Sequence, residues 1–444
     1  MSNNRPLYHL TADKNWINDP NGLIFYKGFY HVFYQHHPFG LDWGPMHWGH
    51  QVSKDLLHWE HLPFALTPGN SFDKDGCFSG SSIVVNDRLY IFYTGFINNE
   101  DPEKIRQQQC IAYSDDGIHF TKGGLVIGED KLPKEFAPND FRDPCVFVEN
   151  DRYVMLVAAR RINGRGNILR YESFDLLHWE FVTAILKEDS KGTIIECPDY
   201  IKDLNLLTYC EQFQPVEGYL HHNLHTNIYE VGEFVDKKFM SFKKGMIDYG
   251  FDFYAPQFFM DKGILIAWMN MWDRNNPSKK YGFTGSMTIP RKVEVVNNEL
   301  LQTPVMPQNV LYELKNVTNL TDHVVTGFYR LEIEGLKSFS LKLRKGDKHE
   351  TSFVLFEDEW VFNRSRSGDE IAGKEKDSDS VKGIRRMPLK KLEKHTLYVV
   401  LDKFSVELFV DGVSMTSLIY PNEDEDLLQL KIQSNLNLMT RFKF

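Results

Sequence analysis

The 444-residue sequence has little that would tie it to a membrane or to nucleic acid. It lacks an apolar run of the roughly 20 residues that a membrane helix needs, and Met1–Leu10 lacks the apolar core of a secretory signal. Positive charge is also in deficit, because 51 Lys and Arg residues face 61 Asp and Glu residues and leave a net charge of −10. Binders of nucleic acid or anionic lipid need clustered positive charge. We therefore expect a cytoplasmic protein with neither nucleic acid nor a membrane as a partner.

Cysteine is scarce as well. The five cysteines are an odd number and contain no CxxC pair: Cys77, Cys110, Cys145, Cys197 and Cys210. A disulfide framework or a zinc site requires other spacings, so we expect reduced thiols and no bound metal. Aromatic residues, by contrast, make up 14% of the chain. That abundance is typical of β-rich packing and also suits the binding of sugar rings, whose faces are flat and apolar.

Two patterns recur along the first part of the chain. The pattern Ser-x-Asp-x-x-His followed by Trp or Phe occupies residues 53–59, 114–120 and 173–179. Because its His recurs at a regular interval, we interpret it as part of a structural turn rather than as a catalytic group. Apolar runs broken by a short polar turn predict five hairpins, at Leu23–Gln35, Ser82–Gly95, Cys145–Arg160, Asp199–Gln212 and Gln257–Asn270.

The spacing of these hairpins predicts the fold. They lie about 60 residues apart, no long amphipathic helix pattern separates them, and each unit has room for four short strands. A repeat of this period and composition is typical of the blades of a β-propeller. The sequence therefore predicts an all-β protein in which residues 1–305 form a five-bladed β-propeller.

The pattern changes after residue 305. Residues 306–317 are predicted to be a linker with a short helix at Asn309–Leu314. Residues 318–444 show short alternating runs that are typical of a β-sandwich. Strands are predicted at Phe328–Ile333, Ser338–Leu343, Thr351–Phe356, Leu397–Leu401, Ser405–Val410 and Leu427–Ile432. The charged segment Ser365–Lys382 is predicted to be an exposed loop without a function.

A polar residue lies seven to nine positions before each of the five hairpin turns: Asp19, Ser79, Asp143, Glu196 and Asp252. Equivalent ends of the inner strands of a propeller meet at its axis, so these side chains are predicted to be neighbours. Carboxylates at short range cannot all stay ionised, and at least one pKa must rise. Such a cluster is compatible with a calcium site, with a propeller that only binds partners, or with a glycosidase, in which two carboxyl groups act as nucleophile and acid.

The local sequences favour the glycosidase. Asp19 is followed by Pro-Asn-Gly, a tight turn that holds its carboxylate rigidly. Arg142 precedes Asp143 and is expected to keep that carboxylate ionised. Glu196 is followed by Cys-Pro, which offers few hydrogen-bond donors. We therefore expect a raised pKa at Glu196, as a general acid requires.

Together these residues resemble the motifs of glycoside hydrolase family 32, the invertase and β-fructofuranosidase family. The matching motifs, in order, are WINDPNG at 16–22, FYQ ending at Gln35, WG-x-x-HWGH at 43–50, FSGS at 78–81, RDP at 142–144, EC at 196–197, DFYA at 252–255, Trp268 to Trp272, and SVELFVDG at 405–412. The resemblance covers essentially the whole chain. It implies a five-bladed propeller followed by a β-sandwich, the same architecture that the repeats predict.

The resemblance also implies roles for individual residues. Asp19 would be the nucleophile, Glu196 the acid/base and Asp143 a stabiliser of the transition state. Residues that would bind the sugar are Asn18, Gln35, Trp43, Phe78, Ser79, Arg142, Tyr254 and Trp272. The implied reaction is retaining hydrolysis through a covalent fructosyl–enzyme, without a cofactor or a metal. For this route the two reacting carboxyl groups lie about 5–5.5 Å apart.

The substrate that we expect is a small sugar, either sucrose or sucrose 6-phosphate. One alternative is an exo-hydrolase of fructooligosaccharides or short fructans, in which the loops Asn98–Arg106 and Ile162–Gly166 would shape further sugar sites. Another is a non-catalytic propeller that binds carbohydrate or protein partners. The acidic triad counts against this last alternative, because binding alone does not require it.

Overall fold

The computed structural model describes residues 4–186 and 194–444. It begins with three sheets, each built around four consecutive antiparallel strands. The first contains β1 (Asn15–Tyr26), β2 (Phe29–His37), β3 (His47–Ser53) and β4 (Glu60–Leu66). The second contains β5 (Gly76–Val85), β6 (Arg88–Ile97), β7 (Arg106–Ser114) and β8 (Thr121–Ile127). The third contains β9 (Phe136–Glu149), β10 (Arg152–Arg161), β11 (Gly166–Ser173) and β12 (Glu180–Ala184).

Two further sheets complete this first part of the chain. The fourth contains β13 (Ile195–Ile201), β14 (Leu206–Gln212), β15 (His225–Val235) and β16 (Lys238–Met246). The next strands are β17 (Tyr254–Phe259), β18 (Ile264–Trp268), β19 (Phe283–Thr284), β20 (Arg291–Val296) and β21 (Glu299–Pro304). All of them except β19 form the fifth sheet, while β19 pairs in parallel with β1 in the first sheet.

The five first strands form a closed ring. β1 contacts β5, β5 contacts β9, β9 contacts β13, β13 contacts β17, and β17 contacts β1. Hydrophobic clusters fill the space between neighbouring sheets, such as the one that joins Phe92 and Ile111 of the second sheet to Val146 and Met155 of the third. The ring therefore brings the starts of all five sheets around one centre.

Tight turns explain why the predicted hairpins form. Both central residues have positive φ angles in the turns at Asn86-Asp87 (51° and 59°) and Asn150-Asp151 (49° and 60°). This is the geometry of a type I′ turn, whose twist matches that of the flanking strands and which favours Asn and Asp. All five predicted hairpins are confirmed as antiparallel strand pairs.

The second part of the chain contains two six-stranded sheets. One consists of β22 (Asn309–Lys315), β24 (Gly327–Glu334), β29 (Lys394–Asp402), β30 (Ser405–Val410), β31 (Val413–Leu418) and β33 (Leu436–Lys443). The other consists of β23 (Asn319–His323), β25 (Ser338–Lys345), β26 (Glu350–Phe356), β27 (Glu359–Arg366), β28 (Ile384–Pro388) and β32 (Leu427–Gln433). One hydrophobic core with residues from both sheets lies between them, including Leu331, Phe339, Phe353 and Val399.

Helical segments are few and short in the part of the chain that the structure describes: one α-helical turn at Ser378–Val381 and 3₁₀ turns at Pro102–Lys104, Glu129–Lys131, Lys202–Leu204 and Pro277–Tyr281. In the described ranges, none is long and apolar enough to cross a membrane. The recurrent Ser-x-Asp pattern forms a turn, as predicted. Asp55 accepts hydrogen bonds from the backbone of Leu57 and His58 and from the His58 ring, and the other two copies repeat this arrangement.

Two sequence predictions about the second part are wrong. Asn309–Leu314 is not helical, because these residues belong to β22 and pair with β33. The segment 365–382 is not a simple exposed loop, since the Glu375 carboxylate binds Arg274 and Lys376 donates to the carbonyl of Gln214 at 2.5 Å. Residues 1–3 and 187–193 of the predicted first domain lie outside the described residues.

Buried ion pairs join the two parts of the chain. Arg291 of β20 binds Asp248 at 3.0 Å and Glu407 of β30 at 2.5 Å, and all three side chains are fully buried. His9 lies between Asp402 and Glu407, at 2.8 Å from each. These carboxylates raise the pKa of His9 to about 9, although its burial opposes the charge. The contact between the two parts is thus specified by charge as well as by packing.

Candidate active site

Each first strand carries an irregularity at the same place. The pairing with the second strand is interrupted across Ile17–Pro20 in β1, Phe78–Gly80 in β5, Arg142–Cys145 in β9, Glu196–Asp199 in β13 and Tyr254–Gln257 in β17, and β1 and β9 each have one further interruption. A β-bulge bends its strand and turns a side chain out of the regular alternation. Five bulges around one ring therefore direct side chains from all five sheets toward its centre.

Three of these bulges have an unusual backbone. Asp143, Cys197 and Ala255 have φ angles of 62°, 49° and 47°, and each precedes a proline. The left-handed region is unfavourable for such residues and is retained only where surrounding contacts enforce it, commonly at functional sites. Here the Asp143 carboxylate accepts a hydrogen bond of 2.9 Å from the Cys197 amide, and the Asp143 amide donates to Thr94.

The bulges surround a cavity of about 370 Å³. Ten of the residues predicted to form the site line it: Asn18, Asp19, Gln35, Trp43, Phe78, Ser79, Arg142, Asp143, Glu196 and Trp272. The eleventh, Tyr254, is buried behind the wall and donates a hydrogen bond to Glu196. Asp252 is the exception among the five equivalent residues, because it is fully buried and binds Arg274 and Arg364 instead.

Asp19 has one bound and one unbound carboxylate oxygen. Ser79 donates to Oδ2 at 2.8 Å, whereas Oδ1 accepts no hydrogen bond from any residue that the structure describes. Burial raises the pKa of Asp19 and repulsion by Glu196 raises it further, whereas the Ser79 hydrogen bond and the neighbouring Asn18 side chain oppose this rise. An oxygen held in place without a donor is well suited to attack an electrophilic carbon.

Glu196 has three donors, which the sequence did not reveal. Tyr254 donates to Oε2 at 2.5 Å, Gln212 donates to Oε2 at 2.9 Å, and Arg142 donates to Oε1 at 3.2 Å. Burial favours the neutral acid, but the Arg142 charge and the two other donors outweigh it, so the pKa of Glu196 is lowered. The expectation of a raised pKa at Glu196 is therefore wrong.

The pKa of Asp143 is shifted upward, whereas the sequence predicted that Arg142 would keep this carboxylate ionised. Burial, together with repulsion by Glu196 and Asp19, raises the pKa of Asp143 to about 7, against the attraction of Arg142. The guanidinium of Arg142 is not directed at Asp143, because it donates to Asp140 at 2.8 Å and to Glu196. Burial and like charge therefore favour the protonated form of Asp143 more than that of Glu196.

Cys197 lies between two of the acids. Its sulfur is 3.5 Å from Oδ2 of Asp143 and 3.8 Å from Oδ2 of Asp19. Burial and these neighbouring carboxylates raise the pKa of its thiol well above the usual range. Since a nucleophilic cysteine must be a thiolate, Cys197 acts here as a small packing residue, as predicted. All five cysteines are unpaired.

Aromatic side chains form much of the wall. Trp43 stands at the rim with 46% of its surface exposed, while Phe78 stacks on Phe96 at a ring-centre distance of 4.3 Å. Trp272 packs on Trp16 at 5.8 Å. Flat apolar faces beside carboxylates are suited to a sugar, which has hydroxyl edges and apolar ring faces.

Five lining residues were not predicted: Phe96, Gln107, Asp140, Gln212 and His225. Gln107 and Asp140 bind Arg142, and Gln212 binds Glu196. Gln212 is the last residue of the second strand of its sheet and Phe96 the last but one, so the ends of the predicted hairpins were an available signal. Burial lowers the pKa of His225, which keeps it neutral near Glu196.

The donor set does not suggest a metal centre. Among residues 4–186 and 194–444, no group of three or more His, Cys, Asp or Glu side chains is placed to hold an ion. An Asp with an unbound oxygen and a Glu with its own donors instead line one sugar-sized cavity. This all-β fold and this site define a glycoside hydrolase.

Comparisons with known proteins specify the family. The chain matches the glycosyl hydrolases family 32 N-terminal domain over residues 9–304 and the family 32 C-terminal domain over residues 298–440. It is 38% identical to the sucrose-6-phosphate hydrolase of Zymomonas mobilis subsp. mobilis, across 94% of this chain and 87% of that protein. It is 34% identical to the raffinose invertase of Escherichia coli, across 96% and 91% of the two chains.

The structure gives the same result. A family 32 β-fructofuranosidase of Bombyx mori has a TM-score of 0.84 and 28% sequence identity, with 99% of this chain and 94% of that chain covered. The protein therefore belongs to glycosyl hydrolases family 32, which confirms the predicted family.

Proposed function

We propose that the protein is a retaining β-fructofuranosidase that hydrolyses the terminal fructosyl bond of sucrose or sucrose 6-phosphate. The observation that carries this proposal is the pairing of Asp19, which has an unbound carboxylate oxygen, with Glu196, which has three donors, in one cavity. Relatives named as a sucrose-6-phosphate hydrolase and a raffinose invertase support the same substrate class.

In the first step, Glu196 protonates the glycosidic oxygen while Oδ1 of Asp19 attacks C2 of the fructosyl unit. The bond from C2 to the leaving sugar breaks, and a covalent fructosyl–enzyme forms through an oxocarbenium-like transition state. In the second step, the Glu196 carboxylate takes a proton from water, which attacks C2 and releases fructose with retained configuration. The Tyr254 and Gln212 donors hold Glu196 in one orientation through both steps.

The reaction needs one proton among three carboxyl groups. Asp143, whose pKa is raised to about 7, binds this proton more readily than Glu196, whose pKa is lowered. The proton must therefore pass to Glu196 when the substrate binds, before Glu196 donates it to the glycosidic oxygen. Because the three groups interact, the rate follows the protonation of the whole cluster rather than that of one residue. We therefore expect kcat/KM to fall above about pH 7, as the cluster loses its last proton.

The remaining lining residues are proposed to bind the sugar. Asp143 and Arg142 would hold fructosyl hydroxyls, and Asn18, Gln35 and Ser79 would supply further polar contacts. Trp43, Phe78 and Trp272 would cover the ring faces. Tyr254 is assigned to Glu196 rather than to the sugar, because its hydroxyl is buried against that carboxylate.

The proposed architecture is a five-bladed propeller followed by a β-sandwich. The closed ring of first strands supports the propeller, and the core shared by the two six-stranded sheets supports the sandwich. We propose the domains as 1–305 and 318–444, with β22 of the intervening segment added to the sandwich.

A second candidate function is the release of fructose from short fructans. The exposure of Trp43, which also lines the cavity, favours it, because an exposed aromatic face beside the cavity is available to a further sugar unit. The test is a comparison of kcat/KM for sucrose, sucrose 6-phosphate and a fructan trisaccharide, with Asp19→Asn as the inactive control. No fructose release from any of the three substrates would refute the proposed function.

A further inference from the structure

The backbone that presents Tyr254 is fixed by the second part of the chain. The amide of Asp252, two residues earlier, donates to the carbonyl of Thr416 in β31 at 3.1 Å. Gly250 lies so close to the same strand that an added Cβ would be 2.1 Å from the Thr416 oxygen. This segment of the first part therefore runs along β31, and it ends at the hydroxyl that donates to Glu196.

The Asp252 carboxylate makes the connection specific. It is fully buried, and it accepts hydrogen bonds from Arg364 at 2.6 Å and from the Leu418 amide at 2.8 Å. Arg274 of the first part binds its other oxygen. A buried carboxylate is strongly unfavourable without such partners, so two groups of the second part are needed to keep Asp252 where it is.

Arg364 is itself held from three directions. Besides Asp252, it donates to the carbonyl of Leu418 at 3.0 Å. Its guanidinium also lies 3.8 Å from the ring centre of Phe251, the residue next to Asp252. A planar group that binds a carboxylate, a carbonyl and an aromatic face at once has no equivalent among other side chains. Arg364 thus fixes both Phe251 and Asp252.

We propose that Arg364 is a positioning residue for catalysis. It lies outside the cavity, and it acts by holding Asp252, whose backbone leads directly into Tyr254 and so aims the Tyr254 hydroxyl at Glu196. This role rests on the proposed function, because the orientation of the Tyr254 hydroxyl affects the rate only if Glu196 is the acid/base. The second part of the chain then contributes to the chemical step without contacting the substrate.

Kinetics of Arg364→Gln test the proposal. We expect kcat for sucrose or sucrose 6-phosphate to fall between about tenfold and about 100-fold, the range for a small displacement of a catalytic group. KM should stay within about twofold, because the sugar-binding residues are untouched. Arg364→Lys should retain more activity than Arg364→Gln, and it provides the same comparison if the Gln variant does not fold.

A double-mutant cycle separates positioning from general destabilisation. In a Tyr254→Phe background the hydroxyl is gone, so Arg364→Gln should lower kcat by less than about twofold further. Residues that act through one interaction are non-additive, whereas independent ones add. Full additivity of the two substitutions would overturn the proposal.

Asp402→Asn is the matched control. Asp402 is also fully buried, also joins the two parts of the chain, and binds His9 rather than the segment before Tyr254. It should lower the melting temperature and leave kcat unchanged. An equal fall of kcat in Asp402→Asn and Arg364→Gln would mean that only the docking of the two parts matters, and the proposal would fail.

A crystal structure of Arg364→Gln distinguishes this proposal from the proposed function. The distance from the Tyr254 hydroxyl to Oε2 of Glu196 is 2.5 Å, and it should lengthen beyond hydrogen-bonding range in the variant. An unchanged distance would overturn the positioning role even in an active enzyme. If the distance lengthens in the variant but the wild-type protein releases no fructose, the contact between Arg364 and the Tyr254 segment stands and the proposed function fails.

Discussion

Replacing Ser79 with alanine isolates the hydrogen bond that holds the proposed nucleophile. The Ser79 hydroxyl donates to Oδ2 of Asp19 at 2.8 Å, and it stabilises the ionised form against burial and the charge of Glu196. Attack requires Asp19 to be ionised. Loss of the donor should therefore raise the pKa of Asp19 and shift the acidic limb of the kcat/KM profile to higher pH.

The size of the shift follows from the bond that is lost. A hydrogen bond to a charged group contributes about 1.5–3 kcal/mol, and about 1.4 kcal/mol corresponds to a tenfold change in protonation. The acidic limb should move upward by about one to two pH units. The assay is fructose release from sucrose at subsaturating concentration across the pH range, since kcat/KM reports ionisations of the free enzyme.

Ser82→Ala provides the control on the same strand. Ser82 is also buried, but its hydroxyl donates to the carbonyl of Gly22 at 2.8 Å and does not reach Asp19. The acidic limb of the kcat/KM profile of Ser82→Ala should match that of the wild type. An unmoved limb in Ser79→Ala, or an equal shift in both variants, would refute the account of how Asp19 is kept ionised.

Three other predictions concern the acids and the contact between the two parts of the chain. Asp19→Asn and Glu196→Gln should each abolish fructose release while circular dichroism shows an intact fold, and near-normal turnover by either would contradict their roles. Asp143→Asn removes the carboxyl group with the pKa of about 7, so the basic limb of the kcat/KM profile should move to lower pH. A basic limb that stays near pH 7 would show that another group is responsible for it. The pKa of His9 rises to about 9 on folding from about 6.5 in the unfolded chain, so its stabilising contribution is complete below about pH 6.5 and is lost as the pH rises through about 9. The fall in melting temperature across that window should be smaller in His9→Gln, and an identical fall would exclude His9 as its source.

The repeat spacing was enough to predict four of the five residues at the bulges. Counting back from each hairpin turn found Asp19, Ser79, Asp143 and Glu196, because strands of similar length place equivalent residues at one end of the ring. The same count gave Asp252 in the fifth sheet, where the bulge lies instead between Tyr254 and Gln257. Asp252 precedes that bulge and faces Arg364 of the second part, a contact that no local pattern indicates.

The protonation states of the acids could not be predicted from their neighbours in the sequence, for a similar reason. The residues next to Glu196 offer few donors, yet Gln212 and Tyr254 reach it from other strands and Arg142 reaches it from another sheet. Arg142 is adjacent to Asp143 in sequence but points away from it, because the bulge at Asp143 separates their directions. Charge pairing across a ring of strands depends on which side chains the bulges turn inward.

The parallel pairing of β1 with β19 has a consequence for synthesis of the chain on the ribosome. Asn15 pairs with Phe283 and Trp16 with Thr284, so the start of the strand that bears Asp19 meets β19 only after nearly all of the first five sheets have been translated. Until then the start of the earliest-made strand has an unpaired edge, and an unpaired strand edge is a point of attachment for other chains. The ring of first strands is thus completed late, when the beginning and the end of the first part of the chain come together.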